Sequence, residues 1–517
     1  MASSLFSEGI TKIVKEFKLS TGFPPKVLEE ADLLPSEIGP EESARRVDLR
    51  DEVIVTIDGE KARDFDDAVS VSELPEGGYR LKVSIADVSH YVKVGSHVDR
   101  EAYRRGTSAY FPDRVLPMLP ERLSNDLCSL VPHKDRPTFT AEMDFDHQGR
   151  RTASRFYKSV IRSAARLTYT LVRQILVDEG EEAERVREHH HKLVPALLRL
   201  KRLFEILRAA RLQRGSLDFD LPEPEIQLDL EEGTIEKIIK AERNIAHRLI
   251  EEFMIAANEA VAEFVTERGL PMVYRVHDEP DPERVKDFSV LLHNMGYSFH
   301  LGKRPFPKAM AAIIEGVRGK VEERLINTIL LRTMKRAIYD TKNLGHYGLA
   351  SECYTHFTSP IRRYPDLMVH RILEQALERK SSSHHEGSKK KKGGHALELS
   401  HMTHTTQHCS DRERIAMKSE WASRDLAAAL FLSKKVGGRF EGIISNVTKF
   451  GFFVELIPFF VEGLVPMRDL KDDHYIFVEK AHQLIGRRKK KKYQIGQSIQ
   501  VRVRGVNLEK RWVDFEI

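Results

Sequence analysis

The sequence predicts an α+β protein, with a large mixed domain followed by a C-terminal five-stranded OB-fold β-barrel. Three stretches carry this prediction. Residues 53–57 read V-I-V-T-I, all β-branched, as in a strand buried on both faces. Residues 242–268 place Leu249, Phe253, Ala256, Ala260 and Phe264 at helical steps, which predicts a long buried helix that Gly269 is placed to end. Residues 437–517 alternate short strand-like runs with turns: F-E-G-I-I-S-N-V, G-F-F-V-E-L, G-L-V-P, I-Q-V-R-V-R-G-V and W-V-D-F-E-I. Five such strands in about eighty residues suit a small barrel of the OB type.

Composition narrows the function classes. The chain has 517 residues, 41% of them hydrophobic, enough to build a sizeable core. No apolar run is long enough to span a bilayer, and the start M-A-S-S-L-F lacks a basic-then-apolar signal pattern. Cys128, Cys353 and Cys409 are far apart and without C-x-x-C spacing, which argues against a disulfide framework and structural zinc. A reducing cytoplasm is the expected setting. The net charge of +5 permits a polyanionic partner without demonstrating one.

Taken in order, residues 1–45 predict a short helical lead or linker. Ile10, Ile13, Val14 and Phe17 have helical spacing, T-G-F-P-P breaks it, and residues 27–34 make a further turn or two. The strand over 53–57 then runs into Asp58, and Asp64, Asp66 and Asp67 follow in R-D-F-D-D-A. Strands are depleted in Asp, so four carboxylates at one strand end call for something that neutralises their repulsion. A hard divalent cation does this, and Mg²⁺ leaves positions open for water and phosphate. If residues 64–67 are extended, Asp64 and Asp66 share a face and Asp67 points away, with Asp58 gripping metal from another side. The plain alternative is a solvated acidic loop.

Residues 79–91 read as an alternating strand ending at a polar corner. Residues 104–130 hold several prolines and read as a fixed irregular loop, neither helix nor strand. From residue 160 to 268 the chain is mainly helical, broken by a strand-like stretch over 215–238. Glu252 and Asn258, close to the apolar stripe of the long helix, read as hydrogen-bonded structural groups. Residues 274–282 suggest a strand end, a turn, then a helix with Asp281 as cap and Pro282 at its first position. His277, with no partner identifiable, reads as structural or RNA-positioning.

In residues 345–371, Ser359 before Pro360 predicts a helix start with Ser359 as cap, and so a site for an anion. Arg362 and Arg363 then lie in the first turn, where positive charge disfavours the helix unless an anion docks there. The competing account is two surface arginines paired with Asp366 or Glu374. Residues 381–408 are rich in Ser, Gly, Lys and His and read as a flexible loop, with Lys389–Lys392 adding non-specific attraction to a polyanion. A helix resumes near Asp411. In the C-terminal barrel Phe450, Phe453, His474 and Tyr475 are candidate stacking groups, and the basic run 487–492 is able to meet phosphates.

The pattern D-x-x-x-x-x-D-x-D-D at Asp58, Asp64, Asp66 and Asp67 resembles the signature of the ribonuclease II/ribonuclease R (RNB) family of exoribonucleases. The runs R-R-G-T-S-A-Y-F-P-D, R-G-S-L-D-F-D and H-F-T-S-P-I-R-R-Y-P-D resemble further family segments. T-K-F-G-F-F-V with G-L-V-P-M-R-D-L resembles an RNA-binding module first described in a ribosomal small-subunit protein. The resemblance covers residues 46–517. It implies an RNB catalytic domain over 46–436, including the 381–408 loop, and an OB-fold RNA-binding domain over 437–517. The implied activity is processive 3′→5′ hydrolysis of single-stranded RNA, with structured RNA left open, to nucleoside 5′-monophosphates and a short end product.

By resemblance, Tyr110 stacks near the cleaved end, Phe219 packs on terminal bases, Arg362 contacts the scissile phosphate, and Glu420 lies near the leaving nucleotide. Each has a plainer reading, as a core aromatic, a surface ion pair or a solvated helix residue. Analogy with two-metal phosphoryl transfer assigns Asp58 and Asp67 to metal, Asp64 to metal or its support, and Asp66 to the catalytic arrangement. The division among the four stays open. Mg²⁺ is the expected cofactor, with Mn²⁺ as a substitute, and single-stranded RNA the expected partner of a cytoplasmic monomer that binds no membrane. Nothing in this sequence precedes the linker, so the family's amino-terminal cold-shock modules are expected to be lacking or cut away. Two other classes remain: an RNA-binding regulator without turnover, and a DNA exonuclease.

Overall fold

The computed structural model describes residues 5–219, 224–229, 234–298, 307–320, 322–382, 399–479 and 483–517. In chain order its first strands are β1 (Val47–Asp48), β2 (Val55–Asp58), β3 (Asp67–Glu73), β4 (Tyr79–Ala86), β5 (Ala109–Tyr110), β6 (Val115–Leu116), β7 (Asp135–Phe145), β8 (Arg151–Arg162) and β9 (Ala165–Thr168). β5 and β6 form a separate hairpin, and the other seven make one sheet, β1-β8-β7-β4-β3-β2-β9. Its centre is antiparallel, while β1 joins β8 and β9 joins β2 in parallel. Phe139, Ala141 and Met143 of β7 are fully buried, and so are Thr138 and Thr140. The hydroxyls on that second face satisfy one another, with Thr140 meeting Ser84 at 2.8 Å and Ser159 at 2.6 Å.

The long helix Ile245–Glu267 buries Leu249, Phe253, Ala257 and Val261 in the same core as this sheet. Asn244 caps it, accepting from the amides of Ala246 and His247, and Gly269 at φ +62° lets the chain leave. Glu252 accepts from Arg211 Nε at 2.8 and 3.0 Å, and Asn258 bridges Tyr354 and Phe357, so both are structural groups as expected. Between these elements lie the hairpin β10 (Pro224–Asp229)–β11 (Thr234–Lys240) and, further on, the pair β12 (Tyr274–Val276)–β13 (Ile338–Asp340). Asp281 caps the helix Pro282–Asn294 through the Glu283 amide.

The C-terminal strands β14 (Arg439–Thr448), β15 (Gly451–Leu456), β16 (Val461–Pro466), β20 (Ser498–Asn507) and β21 (Trp512–Glu516) close into a five-stranded barrel. Ile444, Phe452, Val454, Val501, Val503 and Phe515 fill it, every second residue pointing inward. β16 and β21 complete closure in parallel at Leu464 and Asp514. A Cβ at Gly463 would come 2.5 Å from the Phe515 ring, so closure here depends on glycine. A three-stranded sheet, β17 (Tyr475–Val478), β18 (Gln483–Gly486) and β19 (Lys492–Gln494), is inserted before β20.

The barrel shares a hydrophobic core with the helix Leu5–Glu16, the helices over 282–333 and the carboxyl half of the helix Leu399–Ser433. Gly9 lets the first helix approach Leu426, and Arg511 pairs with Glu16 at 2.9 Å.

Several sequence expectations need correction. The first strand starts at Val55, because the Ile54 amide turns back onto Glu52 and leaves Val53 half exposed. The strand predicted over 79–91 ends at Ala86, where Asp87 caps a helical turn, Val88–Tyr91. Residues 104–130 are not wholly irregular: they contain the β5–β6 hairpin and a π-helical turn, Arg122–Leu127. Strand pairing persists to Thr168, so the helical region starts at Tyr169 rather than near 160. Of the predicted 381–408 loop, residues 383–398, with Lys389–Lys392, lie outside the described residues. Residues 399–408 are helical, because Met402, Thr405 and Cys409 turn into the core and His408 stacks on Tyr103.

Candidate active site

The carboxylates meet at one sheet edge. The antiparallel register Val55↔Val69 brings the end of β2, Asp58, to the start of β3, Asp67. The intervening loop is pinned from a distant segment. Ser129 Oγ donates to the Arg63 carbonyl at 2.6 Å and accepts from the Phe65 amide at 3.1 Å, while Phe65 is buried beneath. Arg166 holds the Gly59 and Glu60 carbonyls at 2.7 Å each. Asp58, Asp64, Asp66 and Asp67 thereby line one cavity of about 960 Å³ with Tyr110, Phe219, Arg362 and Arg363. The expectation that Asp67 points away is overturned: β3 begins only at Asp67, so the residues before it do not follow strand alternation.

Ser359 does not cap a helix. Residues 360–362 form a turn, and the helix begins at Tyr364. The amide that the sequence offered to a phosphate is used by the protein, since Ile361 N donates to Asp66 Oδ1 at 2.9 Å. Asp366 accepts from the Ser359 amide at 2.8 Å and takes both Arg363 bonds, at 2.8 and 2.7 Å. The two arginines therefore divide the readings. Arg363, though it also lines the cavity, is committed to Asp366, while Arg362 faces the cavity with its Nε 3.7 Å from Asp66 Oδ2 and its Nη2 donating to Ser359 Oγ at 3.1 Å. The Arg362 carbonyl is held by the Ser108 amide at 3.0 Å and by Thr107 Oγ1 at 3.1 Å.

Burial and mutual repulsion disfavour the charged form of the cavity carboxylates. Burial, then the neighbouring Asp64, pushes the Asp58 carboxyl up to about 6. Burial, then Asp58, pushes Asp67 up to about 8, and burial holds Asp66 well above its ordinary range. Asp58 Oδ2 and Asp67 Oδ2 are buried with no hydrogen-bond partner among the described residues. Carboxylate oxygens buried without a hydrogen-bond partner fit a hard divalent ion. Among the described residues no group of three or more His, Cys, Asp or Glu side chains is arranged to hold a metal ion.

Tyr110 stands at the rim of the cavity, its hydroxyl 3.3 Å from Asp64 Oδ2. Glu420 Oε1 accepts the Tyr110 amide at 2.9 Å and so ties the helix Leu399–Ser433 to the cavity rim. Phe219 is half-buried in the cavity wall. Phe450 and Phe453 lie elsewhere, in a second cavity of about 460 Å³ with Trp512 and Arg511, between the barrel, the helix Leu399–Ser433 and the β10–β11 hairpin. His474 is exposed on the inserted sheet and lines neither cavity. Tyr475 is no stacking surface. It is buried, its hydroxyl is 3.0 Å from Asp472, and its ring packs on Tyr493. His277 accepts the Gly348 amide at 3.1 Å and packs on His346, a structural position.

Sequence reading passed over three cavity residues. Tyr169 stacks on His247 with centroids 3.8 Å apart, and His356 Nδ1 meets Tyr339 Oη at 2.8 Å. Burial, then Arg363, holds the His356 imidazole neutral. Its place in the same T-H-F-T-S-P-I-R-R run as Arg362 was the available signal.

A model described as RNB domain matches residues 46–379, and one described as S1 RNA binding domain matches residues 433–517. The chain belongs to the RNB family. Within that family it is similar to ribonuclease R of Aquifex aeolicus, 44% identical over 98% of this chain and 70% of the relative. Ribonuclease R of Escherichia coli is 43% identical over 96% of this chain and 60% of its own length, so the chain spans well under the whole of such relatives. Among solved structures, Mycoplasma genitalium RNase R in complex with ribose methylated single-stranded RNA superposes with TM-score 0.89 at 30% identity, covering 98% of this chain and 77% of that one. Yeast Ssd1, a pseudonuclease, shares the fold with TM-score 0.72 at 19% identity over 92% of this chain and 57% of that one. The RNB fold alone therefore does not decide catalysis, and the four carboxylates of this member must carry that argument.

Proposed function

We propose that this RNB-family chain is a processive 3′→5′ exoribonuclease that hydrolyses single-stranded RNA to nucleoside 5′-monophosphates with Mg²⁺. The observation that carries the reading is the convergence of Asp58, Asp64, Asp66, Asp67 and Arg362 on one cavity, beside the aromatic groups of Tyr110 and Phe219. Asp58 and Asp67, whose outer oxygens lack partners, would hold the metal, with Asp64 in support. Bound Mg²⁺ supplies Lewis-acid activation of water and stabilises the leaving 3′-oxygen. Mn²⁺, an oxygen-binding ion of the same charge, is the expected substitute.

The chain's own groups do the positioning. Arg362, 3.7 Å from Asp66, presents a guanidinium to the phosphoryl oxygens as charge grows there. Asp66, fixed by the Ile361 amide, orients that guanidinium. Tyr110, fixed by Glu420, and Phe219 offer ring faces to the terminal bases. The relative solved in complex with double-stranded RNA supports structured RNA as a second substrate class. Three buried, unpaired thiols support work in a reducing cytoplasm, and no helix of the described residues is long and apolar enough to cross a membrane. A monomer is the expected state.

The test is decay of a 5′-labelled single-stranded RNA with Mg²⁺, beside DNA of the same sequence. Conversion to a short labelled product without a ladder, absent on DNA, is expected. RNA that is bound but left intact would replace this reading with an RNA-binding regulator, and equal loss of DNA would replace it with a general exonuclease.

A further inference from the structure

The turn joining β18 to β19 holds Arg487, Arg488, Lys489, Lys490 and Lys491, and β19 opens with Lys492. Such runs are commonly mobile surface charge, but this one is built on an internal anchor. The side chain of Asp473 is buried beneath the turn and accepts from the amides of His474 at 2.7 Å, Arg488 at 2.9 Å and Lys489 at 2.6 Å. Arg487 N donates to the His474 carbonyl at 2.9 Å, and Gly486 N to that of Lys491 at 2.9 Å. A Cβ at Gly486 would lie 2.5 Å from Asp473 Oδ2, so the anchor requires glycine there. Lys490 takes φ +55° to complete the turn.

The anchor spends the one nearby buried carboxylate on backbone amides and leaves the side chains outside. Arg488 is 88% exposed, and its guanidinium comes only to 4.0 Å of Asp473. Lys491 is matched by Asp472 at 3.4 Å. Among the described residues Arg487, Lys489, Lys490 and Lys492 have no carboxylate within ion-pair distance. A rigid backbone that projects uncompensated cations loses little entropy on meeting a polyanion.

The location excludes the catalytic cavity. The far end of the hairpin, Gln483 paired with Gln494, faces Leu291, Leu325 and Ile329 of the catalytic helices across a cavity of about 550 Å³. The basic turn lies at the opposite end, roughly 10 Å along the strands at about 3.3 Å per residue. None of its residues lines the carboxylate cavity or the one beside Phe450.

We propose that the 487–492 turn is a phosphate-backbone exosite that holds RNA outside the catalytic cavity. The proposal rests on the RNA-degrading reading and adds a contact that is independent of sequence, sensitive to salt and dependent on substrate length.

The test compares the whole chain with its Arg488→Gln/Lys489→Gln/Lys490→Gln variant, in which the exposed side chains change and the Asp473 bonds remain. Binding is measured in EDTA across a salt series, with a single strand of about 30 nucleotides and one of about 5. Each phosphate contact to a single strand contributes about 0.7 to the slope of log affinity against log salt, or about 5-fold at 0.1 M. The expected result is a slope shallower by about 2 and a loss of about 10-fold or more on the long strand, with the short strand within about 2-fold. Equal loss on both lengths, or an unchanged slope, overturns the exosite. So does unchanged RNA affinity with lost binding to anionic phospholipid vesicles, which would make the turn a membrane-surface patch. Wild-type protein that binds RNA but leaves it intact with Mg²⁺ sinks the hydrolytic reading alone, because the salt series is read without turnover.

Discussion

Replacing Asp66 with Asn removes one charge from the carboxylate cavity and changes little else. Asp66 is 4% exposed, and its Oδ1 accepts the Ile361 amide, a bond that an Asn carbonyl retains. Its Oδ2 stands 3.7 Å from Arg362 Nε, a separation worth about 4–5 kcal/mol at an effective dielectric constant of about 20. Arg362 is 43% exposed, so solvent screening reduces this to about 1–2 kcal/mol. Freed from that partner, Arg362 meets a phosphate more readily, and RNA binding in EDTA should tighten by up to about 10-fold. Turnover with Mg²⁺ should fall by about 10³-fold or more, equivalent to about 4 kcal/mol of barrier, as the orientation of the guanidinium in the catalytic arrangement is lost. The fold should persist: a carboxylate whose charge is costly to bury is removed, and this offsets the cost of an amide N–H₂ facing Arg362. The thermal midpoint in EDTA should move by about 3 °C or less. Steady decay of labelled RNA, anisotropy and a thermal melt on the same preparation check all three. A variant that keeps a tenth of the turnover, or loses RNA affinity in step with it, would refute the assignment of Asp66.

The two adjacent arginines should separate function from stability. Arg362→Ala is expected to melt as the wild type does yet lose about 10²–10³-fold in turnover, whereas Arg363→Ala strands the buried Asp366 and should cost about 3–5 kcal/mol in chemical denaturation; matching effects in both variants would contradict this division. Proton linkage offers another test. Asp58 at about 6 and Asp67 at about 8 both lie above their unfolded value near 4, so the native chain holds protons that the unfolded chain releases. Stability without metal should therefore fall as pH rises from roughly 4 to 8, and the Mg²⁺ needed for half-maximal turnover should rise as pH drops from 8 to 6. A flat metal requirement across that window would count against these two ligands. In the barrel, Phe450→Ala should weaken RNA binding by about 1–3 kcal/mol with an unaltered salt slope, since it removes stacking rather than charge; a changed slope would mean that Phe450 acts through neighbouring cations.

What the sequence by itself determined was chemistry that short-range pattern encodes. Val55–Asp58 is a strand because β-branched residues recur there, and Gly269 ends a helix whose apolar stripe is visible at helical steps. The aspartate spacing, with the runs around Tyr110, Phe219 and Arg362, was enough to reach the family and the identity of the cavity residues. Tertiary structure decided how those groups face one another. The direction of Asp67 depends on where β3 begins and on Ser129, more than sixty residues away, pinning the loop. Arg363 is committed to the buried Asp366 while Arg362 turns to Asp66 and the cavity, and Glu420 holds Tyr110 across the whole catalytic domain. Local sequence specifies backbone preference and side-chain type. Burial, and the choice of which donor meets which acceptor, come from contacts between distant segments, and these set the charge states on which the chemistry depends.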